Sequence, residues 1–306
     1  IQYLGINKDY TPFAKKREKK IRNIANKYGT IIICLEDFLL HPVESIKNKS
    51  GKYYKKFTPF YNTAKRKNVT IPSKKNIKDK LSKLRGIKSI KYTDLLKKIK
   101  INKEIEVHGG RKNAFNILNS KFPHKMSAYI KFGCISIREC YYMYKKMRKH
   151  ELVRNLFWRE FFTILLYNNP SLLTKDYRKN KKIKWKKNLK EFNKWKKGNT
   201  EIDIINAAMN KLNITGFISN RLRLLVGDYL TKHLKIHWKY GEVYFAKKLV
   251  DYDPAVNNGN WQWIASTGCD AQPYFRIFNP YQQAKKFDPE GKFIEEHLGS
   301  SVKPII

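Results

Sequence analysis

Thirty residues near the end of the chain carry an unusual set of chemically active side chains. The stretch 251–280, DYDPAVNNGNWQWIASTGCDAQPYFRIFNP, holds three carboxylates, two adjacent asparagines, two tryptophans two positions apart and one arginine, in a chain otherwise rich in lysine. Neither a helix period nor a strand period runs through it, and turn formers and large aromatic residues crowd together. This composition suits the wall of a pocket that holds a planar, hydrogen-bonding ligand.

A single arginine and a separate polar cluster offer further chemistry. Arg159 lies in an otherwise apolar segment, where a buried guanidinium must be paired. It forms either a core ion pair alone or a charge that also lines a site. Asn220, Arg221 and Arg223 lie on one side of a helix start, where backbone amides and arginines suit a phosphate. A solvated basic face is the alternative for this second cluster.

The elements that must position these residues differ between the two ends of the chain. Residues 1–40 predict a strand, a helix and a buried strand (TIIICLEDFLL), with Thr11 as N-cap, Pro12 in the first helical turn and Gly29 at the C-terminal end. A single βαβ unit does not form a stable parallel sheet by itself. Residues 62–110 are strongly basic and predict an inter-domain linker with one short helix.

From about residue 112 onward the pattern is helical. Residues 136–139, SIRE, form a capping box that opens an amphipathic helix. The segment ELVRNLFWREFFTILLY is apolar on nearly all faces, which predicts a central buried helix. DIINAAMNKLN and NRLRLLVGDYLTKHL predict two more helices, so the second half is all-α, with 251–280 wrapped around it.

Composition narrows the class of protein. The 306 residues carry 65 Lys and Arg against 25 Asp and Glu, a formal net charge of +40 that favours an anionic partner, nucleic acid above all. A composition heavy in Lys, Asn and Ile also follows from AT-rich coding. The four scattered cysteines indicate neither a metal site nor a disulfide framework, which favours an intracellular compartment. No apolar run reaches transmembrane length, and the start of the chain is no signal peptide.

The stretch 251–280 is similar, nearly residue for residue, to the flavin-pocket segment of the DNA photolyase/cryptochrome family. It most resembles the class I photolyases, which repair cyclobutane pyrimidine dimers. The resemblance implies an α+β, mostly α fold. Residues 1–61 would be the remnant of an N-terminal α/β, Rossmann-like domain, and 62–110 the basic linker. Residues 111–306 would be a large all-α FAD-binding catalytic domain.

The resemblance also implies roles for individual residues around FAD, which is active in its reduced form. Arg159 would pair with Asp251 across the flavin, Asp251 and Asp253 would bind its ring and sugar chain, and Asn257 would lie beside flavin N5. An amide there suits a repair enzyme, where many cryptochromes carry Asp or Cys. The implied cofactor-binding set is Ser127, Arg159, Asn220, Arg223, Asp251, Asp253, Val256 and Asn257.

Three tryptophans match the family's electron-transfer chain in position and spacing. Trp261 would lie next to the flavin, Trp238 in the middle and Trp185 at the surface. Indoles oxidise readily, so such a row can return an electron to a photoexcited flavin. Core packing is the commoner role of a tryptophan, and it is the role expected for Trp195.

Substrate contacts are implied on a second surface. Aromatic faces suit a flipped-out pyrimidine pair, and photolyases are a standard example of base flipping. Backbone phosphates would be contacted without reading sequence. The implied substrate and DNA set is Asn155, Trp158, Phe217, Arg221, Leu224, Trp263, Arg276, Gln283 and Lys286.

Four features depart from the family pattern. The antenna-binding region is largely absent, so an antenna pigment is not expected. The flavin-phosphate loop reads PHKMS at 123–127, with only Ser127 matching. Asn155 stands where the family has a substrate-contacting Glu. Phe217 and Leu224 replace a Trp and a Met near the substrate cavity.

These observations predict a monomeric, DNA-associated enzyme that repairs cyclobutane dimers by electron transfer from reduced FAD. The two His that photolyases for (6-4) photoproducts use are replaced by Ile218 and Ser219, which favours cyclobutane dimers. Two alternatives remain: a cryptochrome-like flavoprotein without repair activity, and a flavin-free DNA-binding remnant.

Overall fold

The computed structural model describes residues 1–73, 90–99, 102–178 and 183–299, and these residues are mostly helical with a two-stranded parallel sheet. The strands are β1 (Tyr3–Asn7) and β2 (Ile31–Leu35). The helices are α1 (Pro12–Lys27), α2 (Phe57–Ala64), α3 (Tyr92–Lys98), α4 (Arg111–Leu118), α5 (Met126–Lys131), α6 (Ile137–Lys146), α7 (His150–Asn168), α8 (Leu189–Lys197), α9 (Asp203–Thr215), α10 (Asn220–Asp228), α11 (Trp238–Lys248), α12 (Pro254–Ile264), α13 (Pro280–Phe287) and α14 (Lys292–Leu298). A 3₁₀ turn spans Pro170–Leu173 and a π-helical turn spans Tyr229–His233.

The βαβ unit at the start of the chain is confirmed, but the prediction that its second strand is buried is wrong. β1 and β2 pair in parallel, with Tyr3 opposite Ile31. Thr11 caps α1 by accepting from the Ala14 amide, and Gly29 follows the helix at φ +63°. Alternate residues of β2 are exposed, including Ile33 at 47% and Leu35 at 57%. One face of this small sheet is therefore open to solvent.

Helix α7 forms the centre of the larger hydrophobic cluster, as its apolar sequence predicts. Ten of its residues are buried, from Val153 to Leu166. Helix α12 crosses it so closely that a Cβ at Gly259 would come within 2.2 Å of the Phe162 ring. The capping box at the start of α6 is also present, with the Ser136 amide donating to Glu139. These close packings fix the backbone from which the polar residues of 251–263 project.

The expectation that no helix period runs through 251–280 is wrong for part of it, because α12 occupies Pro254–Ile264. The Asp253 side chain accepts from the Ala255 and Val256 amides, and Pro254 occupies the first turn. Asp followed by Pro is a helix-start signal, but both residues are also common in turns, so the dipeptide is ambiguous in sequence. Helix α12 lacks a clear polar face because it is buried on both sides, and its polar residues Asn258 and Gln262 lie inside the protein.

The segment predicted to be a linker is partly packed into the core. Helix α2 crosses the predicted boundary at residue 61, and Val69 and Val107 are both buried in the larger cluster. The one short helix expected there corresponds to α3. Residues 74–89 and 100–101 of this segment, and 179–182 and 300–306 further on, lie outside the described residues. Within the described part of the chain, no helix combines the length and apolarity needed to cross a bilayer.

Candidate functional site

Asp251 lies at the meeting point of three separate elements. Its carboxylate accepts from the Ser127 hydroxyl of α5 at 2.6 Å and from the Arg223 guanidinium of α10 at 2.9 and 3.1 Å. Arg223 also donates to the Ile218 carbonyl, which fixes its orientation. The predicted partner of Asp251, Arg159, pairs elsewhere. That pairing was wrong because the turn between α11 and α12 places Asp251 beside α10 rather than beside α7.

Arg159 instead faces Asp253. Its Nη2 lies 3.6 Å from Asp253 Oδ2, its Nη1 donates to the Phe38 carbonyl, and its guanidinium lies 3.9 Å from the centre of the Phe38 ring. Burial lowers the pKa of Arg159, and the Asp253 charge opposes that shift. Lys131 Nζ approaches the same carboxylate oxygen, also at 3.6 Å.

Two buried polar atoms in this pair have no hydrogen-bond partner. Asp253 uses Oδ1 to cap α12, whereas its Oδ2 and Arg159 Nη2 make no hydrogen bond. Buried polar atoms are nearly always satisfied, so an unsatisfied donor beside an unsatisfied acceptor indicates a place for a polar ligand. A cofactor rich in hydroxyl and phosphate oxygens fits a site with a cation, a carboxylate and a helix start.

Asn257 lies one turn into α12 and is buried at 8% exposure. Its amide nitrogen lies 3.2 Å from both the backbone carbonyl and the side-chain Oε1 of Glu242, on α11. Val256 is half-buried beside it, and its carbonyl accepts from Asn260. Asn220, at the first position of α10, is exposed. The structure therefore places these residues in three contact groups, Asp251 with Ser127 and Arg223, Asp253 with Arg159, and Asn257 with Glu242, and leaves Asn220 exposed.

The three tryptophans expected to carry electrons differ in burial. Trp261 is 4% exposed, Trp238 is fully buried and Trp185 is half-buried. The Trp185 and His237 ring centres are 4.9 Å apart, and those of His237 and Trp238 are 5.6 Å apart. Trp238 Nε1 donates to Asp176 at 2.6 Å. A Cβ at Gly241 would come within 2.2 Å of the Trp261 ring, so α11 packs directly on that indole.

Trp195 is a packing residue, as expected. It is fully buried, and its Nε1 donates to the Val226 carbonyl. Its ring lies edge-on to Trp261 at 6.3 Å between centres and stacks near Phe245. It joins α8 to the inner face of α12.

Trp158, predicted to contact substrate, has one face covered. Its ring stacks on Phe57 of α2 with centres 3.6 Å apart and planes 5° apart. The Asp270 carboxylate accepts from the Phe57 amide and so anchors α2 in this position. Trp263 lines a small, mostly apolar crevice of about 20 Å³ between α7 and α12, while Asn155 is exposed one turn before Trp158.

The remaining predicted substrate residues divide between the pocket and the surface. Phe217 is buried, and its ring centre lies 5.9 Å from Lys125 Nζ and 5.5 Å from the Arg223 guanidinium. Leu224 is half-buried on α10. Phe217 therefore belongs with the Asp251 cluster.

A separate, exposed group forms around Phe287 of α13. The Arg221 guanidinium lies 4.8 Å from the Phe287 ring centre, and Lys286 Nζ lies 5.5 Å from it. Gln283 is half-buried on the same helix, and Arg276 is exposed just before it. Arg221 and Lys286, 65 positions apart in sequence, thus present two cations around one exposed ring.

Several contributors carry no local sequence signal. Lys131 faces Asp253, Glu242 holds the Asn257 amide, and Phe57 covers Trp158. Lys131 and Phe57 reach the site from helices distant in sequence, Glu242 comes from the preceding helix, and Lys131 looks like any other lysine of this chain. His41 and Glu160 form a further buried contact directly behind Arg159, at 3.1 Å. Only packing reveals them.

Comparison with known proteins gives concordant matches. Residues 152–301 match a family described as the FAD binding domain of DNA photolyase, and residues 1–76 match a family described as DNA photolyase. A protein of Buchnera aphidicola subsp. Baizongia pistaciae, named deoxyribodipyrimidine photo-lyase, is 39% identical over 97% of this chain and 69% of its own length. One of Escherichia coli K12 with the same name is 41% identical over 57% of this chain and 39% of its own length.

A solved structure agrees with the sequence matches. An archaeal photolyase from Sulfolobus tokodaii, described with two FAD molecules, superposes with a TM-score of 0.84 at 40% identity. The match covers 97% of this chain and 69% of the archaeal one. The helical framework around α7 and α12 is thus shared with a flavoprotein.

Proposed function

The chain belongs to the DNA photolyase/cryptochrome family, and from this premise we propose that it repairs cyclobutane pyrimidine dimers in DNA by light-driven electron transfer from reduced FAD. The observation that carries the proposal is the buried pairing of Arg159 and Asp253, each with an unsatisfied polar atom, inside the matched FAD-binding segment. That arrangement supplies ligand-binding groups where the family binds its cofactor.

In such a reaction the protein would position the cofactor and the damaged bases and would set the electrostatic environment around them. FAD, when bound in its reduced form, supplies the light absorption and the electron. Arg159 and Asp253 would hold its polar groups, Asp251 would be oriented by Ser127 and Arg223, and Asn257 is anchored by Glu242.

We further propose that Trp261, Trp238 and Trp185 carry electrons between solvent and the pocket. The ring contacts of Trp185 with His237 and of His237 with Trp238 support the outer part of this route, between Trp238 and the surface. The test illuminates protein that carries oxidised FAD in the presence of an external reductant and measures the rate at which the flavin is reduced. Trp185→Phe should slow this reduction, whereas Phe192→Leu, a packing change on α8 beside Trp195 and Tyr240, serves as the control. Equal effects of the two would contradict the assignment.

The substrate would bind across the surface that joins Trp158 and Trp263 to the exposed cations. Trp158 has its rear face covered by Phe57, which holds the indole rigid for stacking on a flipped base. Arg221, Arg276 and Lys286 would neutralise backbone phosphates. The net charge of +40 favours association with DNA in the same sense.

The decisive experiment uses purified protein with reduced FAD and an oligonucleotide that carries one cyclobutane thymine dimer. Illumination at near-ultraviolet or blue wavelengths should restore the two thymines, as measured by chromatography, and a dark sample should show no change. A matched oligonucleotide with a (6-4) photoproduct should stay unrepaired. Absence of light-dependent repair by flavin-loaded protein would overturn the proposal.

A cryptochrome-like flavoprotein without repair is the second candidate, favoured by Asn155 in place of the family's Glu. Asn155 is exposed near Trp158 and keeps a hydrogen-bond donor, but it offers no carboxyl group. Asn155→Glu should then raise the yield of repair per absorbed photon. If the wild-type protein binds flavin but neither it nor this variant repairs dimers, the second candidate is favoured.

The domain layout follows the family in our proposal. Residues 1–61 belong to the α/β domain, 62–110 connect the two domains, and 111–306 form the all-α FAD-binding domain. The two family matches, at 1–76 and 152–301, support the order of the two domains, with the first match extending past residue 61. We propose a monomer that acts in association with DNA, and sedimentation with and without a short duplex tests both statements.

A further inference from the structure

A buried ion pair joins the last residue of α10 to the π-helical turn that follows it. Asp228 and Lys232 each have fully buried side chains, and Lys232 Nζ lies 3.6 Å from Asp228 Oδ1. Neither residue takes part in the proposed cofactor or substrate contacts. Two charges removed from water in this way require a compensating set of contacts.

His233 Nε2 lies 3.7 Å from Asp228 Oδ2, and the hydrogen bonds of the pair reach one short segment, 276–278. Lys232 Nζ donates to the Arg276 carbonyl at 2.5 Å, and the Phe278 amide donates to Asp228 Oδ2 at 3.0 Å. His233 Nε2 lies 2.9 Å from the Phe278 carbonyl. Immediately afterwards Asn279 caps α13. The end of α10 and the π-helical turn therefore hold both ends of the segment 276–278, which leads directly into α13.

This pair is poorly explained as a stabilising device. Burial raises the pKa of Asp228 and lowers the pKa of Lys232, so burial opposes the charged form of both groups. Buried ion pairs can often be replaced by apolar residues without loss of stability. The pair nevertheless supplies a donor and an acceptor aimed at the backbone on either side of Ile277. Directional control of that backbone is what an apolar pair would lack.

We propose that Asp228 and Lys232 are positioning residues for DNA binding, which act by fixing the backbone of 276–278. The fixed backbone orients the exposed Arg276 side chain and sets the start of α13, which carries Gln283 and Lys286. The inference rests on the proposed DNA repair function and deepens it. A rigid segment improves phosphate contact because less side-chain and loop freedom is lost on binding.

The test compares wild-type protein with the charge-free variant Asp228→Ala/Lys232→Met. Hydrogen exchange of the peptide that contains 276–279 should accelerate at least about threefold, because the Phe278 amide loses its acceptor. The dissociation constant for lesion-containing duplex should rise about tenfold, and the salt dependence should weaken by about one phosphate contact. Flavin content should be unchanged. Asp228→Asn/Lys232→Met restores an acceptor for the amide and should recover part of both effects.

Two controls separate positioning from general destabilisation. Thr231→Val alters a buried residue of the same turn that donates to the Gly227 carbonyl, and it should change the melting temperature without changing the salt dependence. In an Arg276→Ala background, Asp228→Ala/Lys232→Met should change DNA affinity less than about threefold, and the remaining effect would come from α13. Independent, multiplicative effects would overturn the proposal.

The exchange measurement also separates this inference from the proposed function. If wild-type protein fails to bind or repair lesion DNA, the function is wrong, and this DNA role falls with it. If DNA binding holds but exchange in 276–279 is unaltered in the charge-free variant, the positioning role alone is wrong. Weaker DNA binding by the charge-free variant with an unchanged salt dependence would count against Arg276 as the residue that the pair positions.

Discussion

The arginines and lysines proposed to act in this protein fall into two contrasting environments. Arg159 is buried, faces Asp253 and is surrounded by fixed protein groups. The second group is exposed and forms no ion pair with a carboxylate among the described residues: Arg221, Arg276 and Lys286. In our proposal, the buried cation holds a cofactor and the exposed cations contact DNA phosphates.

This contrast teaches that charge number alone says little about mechanism. The buried cation contributes through a fixed geometry and a large desolvation term, whereas each exposed cation contributes a small, screened interaction with a phosphate. Substitutions in the buried region should therefore affect folding first. Substitutions on the surface should affect the salt dependence of DNA binding and leave folding unchanged.

The largest effect is expected for Asp253→Ala. The substitution leaves Arg159 buried without its carboxylate and removes the side-chain cap of α12, so the free energy of unfolding should fall by about 3–5 kcal/mol. Urea unfolding measures it. Asp253→Asn keeps a cap and removes only the charge, so it should be the milder variant. A loss below about 1 kcal/mol for Asp253→Ala would remove the distinction between the two environments.

The next effect sharpens the buried side of the comparison through pH. Burial raises the pKa of Glu160 above its ordinary value of 4.5, and His41 opposes the shift. The folded protein then binds this proton more tightly than the unfolded chain does, so the stability contributed by Glu160 is present below pH 4.5 and is lost as pH rises through the raised pKa. Glu160→Gln should therefore gain stability relative to wild type as pH rises. Parallel curves of unfolding free energy against pH would contradict this.

A smaller effect is expected for Arg276→Ala on the exposed side. Loss of one phosphate contact should weaken binding to dimer-containing DNA about tenfold and reduce the slope of log affinity against log salt by about 0.9. Undamaged duplex should be weakened equally, because such a contact does not read the lesion. Fluorescence anisotropy over a salt series measures both. A loss confined to lesion DNA would instead place Arg276 at the dimer.

The smallest effect is expected for Lys286→Ala. Its ammonium lies at the rim beside Phe287, so affinity for DNA should fall about threefold with no change in unfolding free energy. Lys19→Ala, on the exposed surface of α1, is the matched control for charge alone. Equal effects of the two variants would show that net charge, rather than a defined surface around Phe287, drives binding.

Local sequence predicted those elements whose ends carry strong signals. The α1 cap at Thr11, the capping box at Ser136 and the buried helix α7 were all predicted, because caps and apolar patterns act within one or two turns. Helix α12 was missed because burial on both faces removes the amphipathic period on which such predictions rely. The buried assignment of β2 failed because an apolar strand is buried only where a neighbour covers it.

The sequence by itself determined the family, through the run 251–280, and with it the residue types of the polar pocket. Only the tertiary structure decided which charges pair: Arg159 with Asp253, Arg223 with Asp251, and Asp228 with Lys232 against the backbone of 276–278. The physical reason is distance. Side-chain identity is local, whereas a salt bridge or hydrogen bond requires atoms within a few ångströms, and packing of helices far apart in the chain sets that separation.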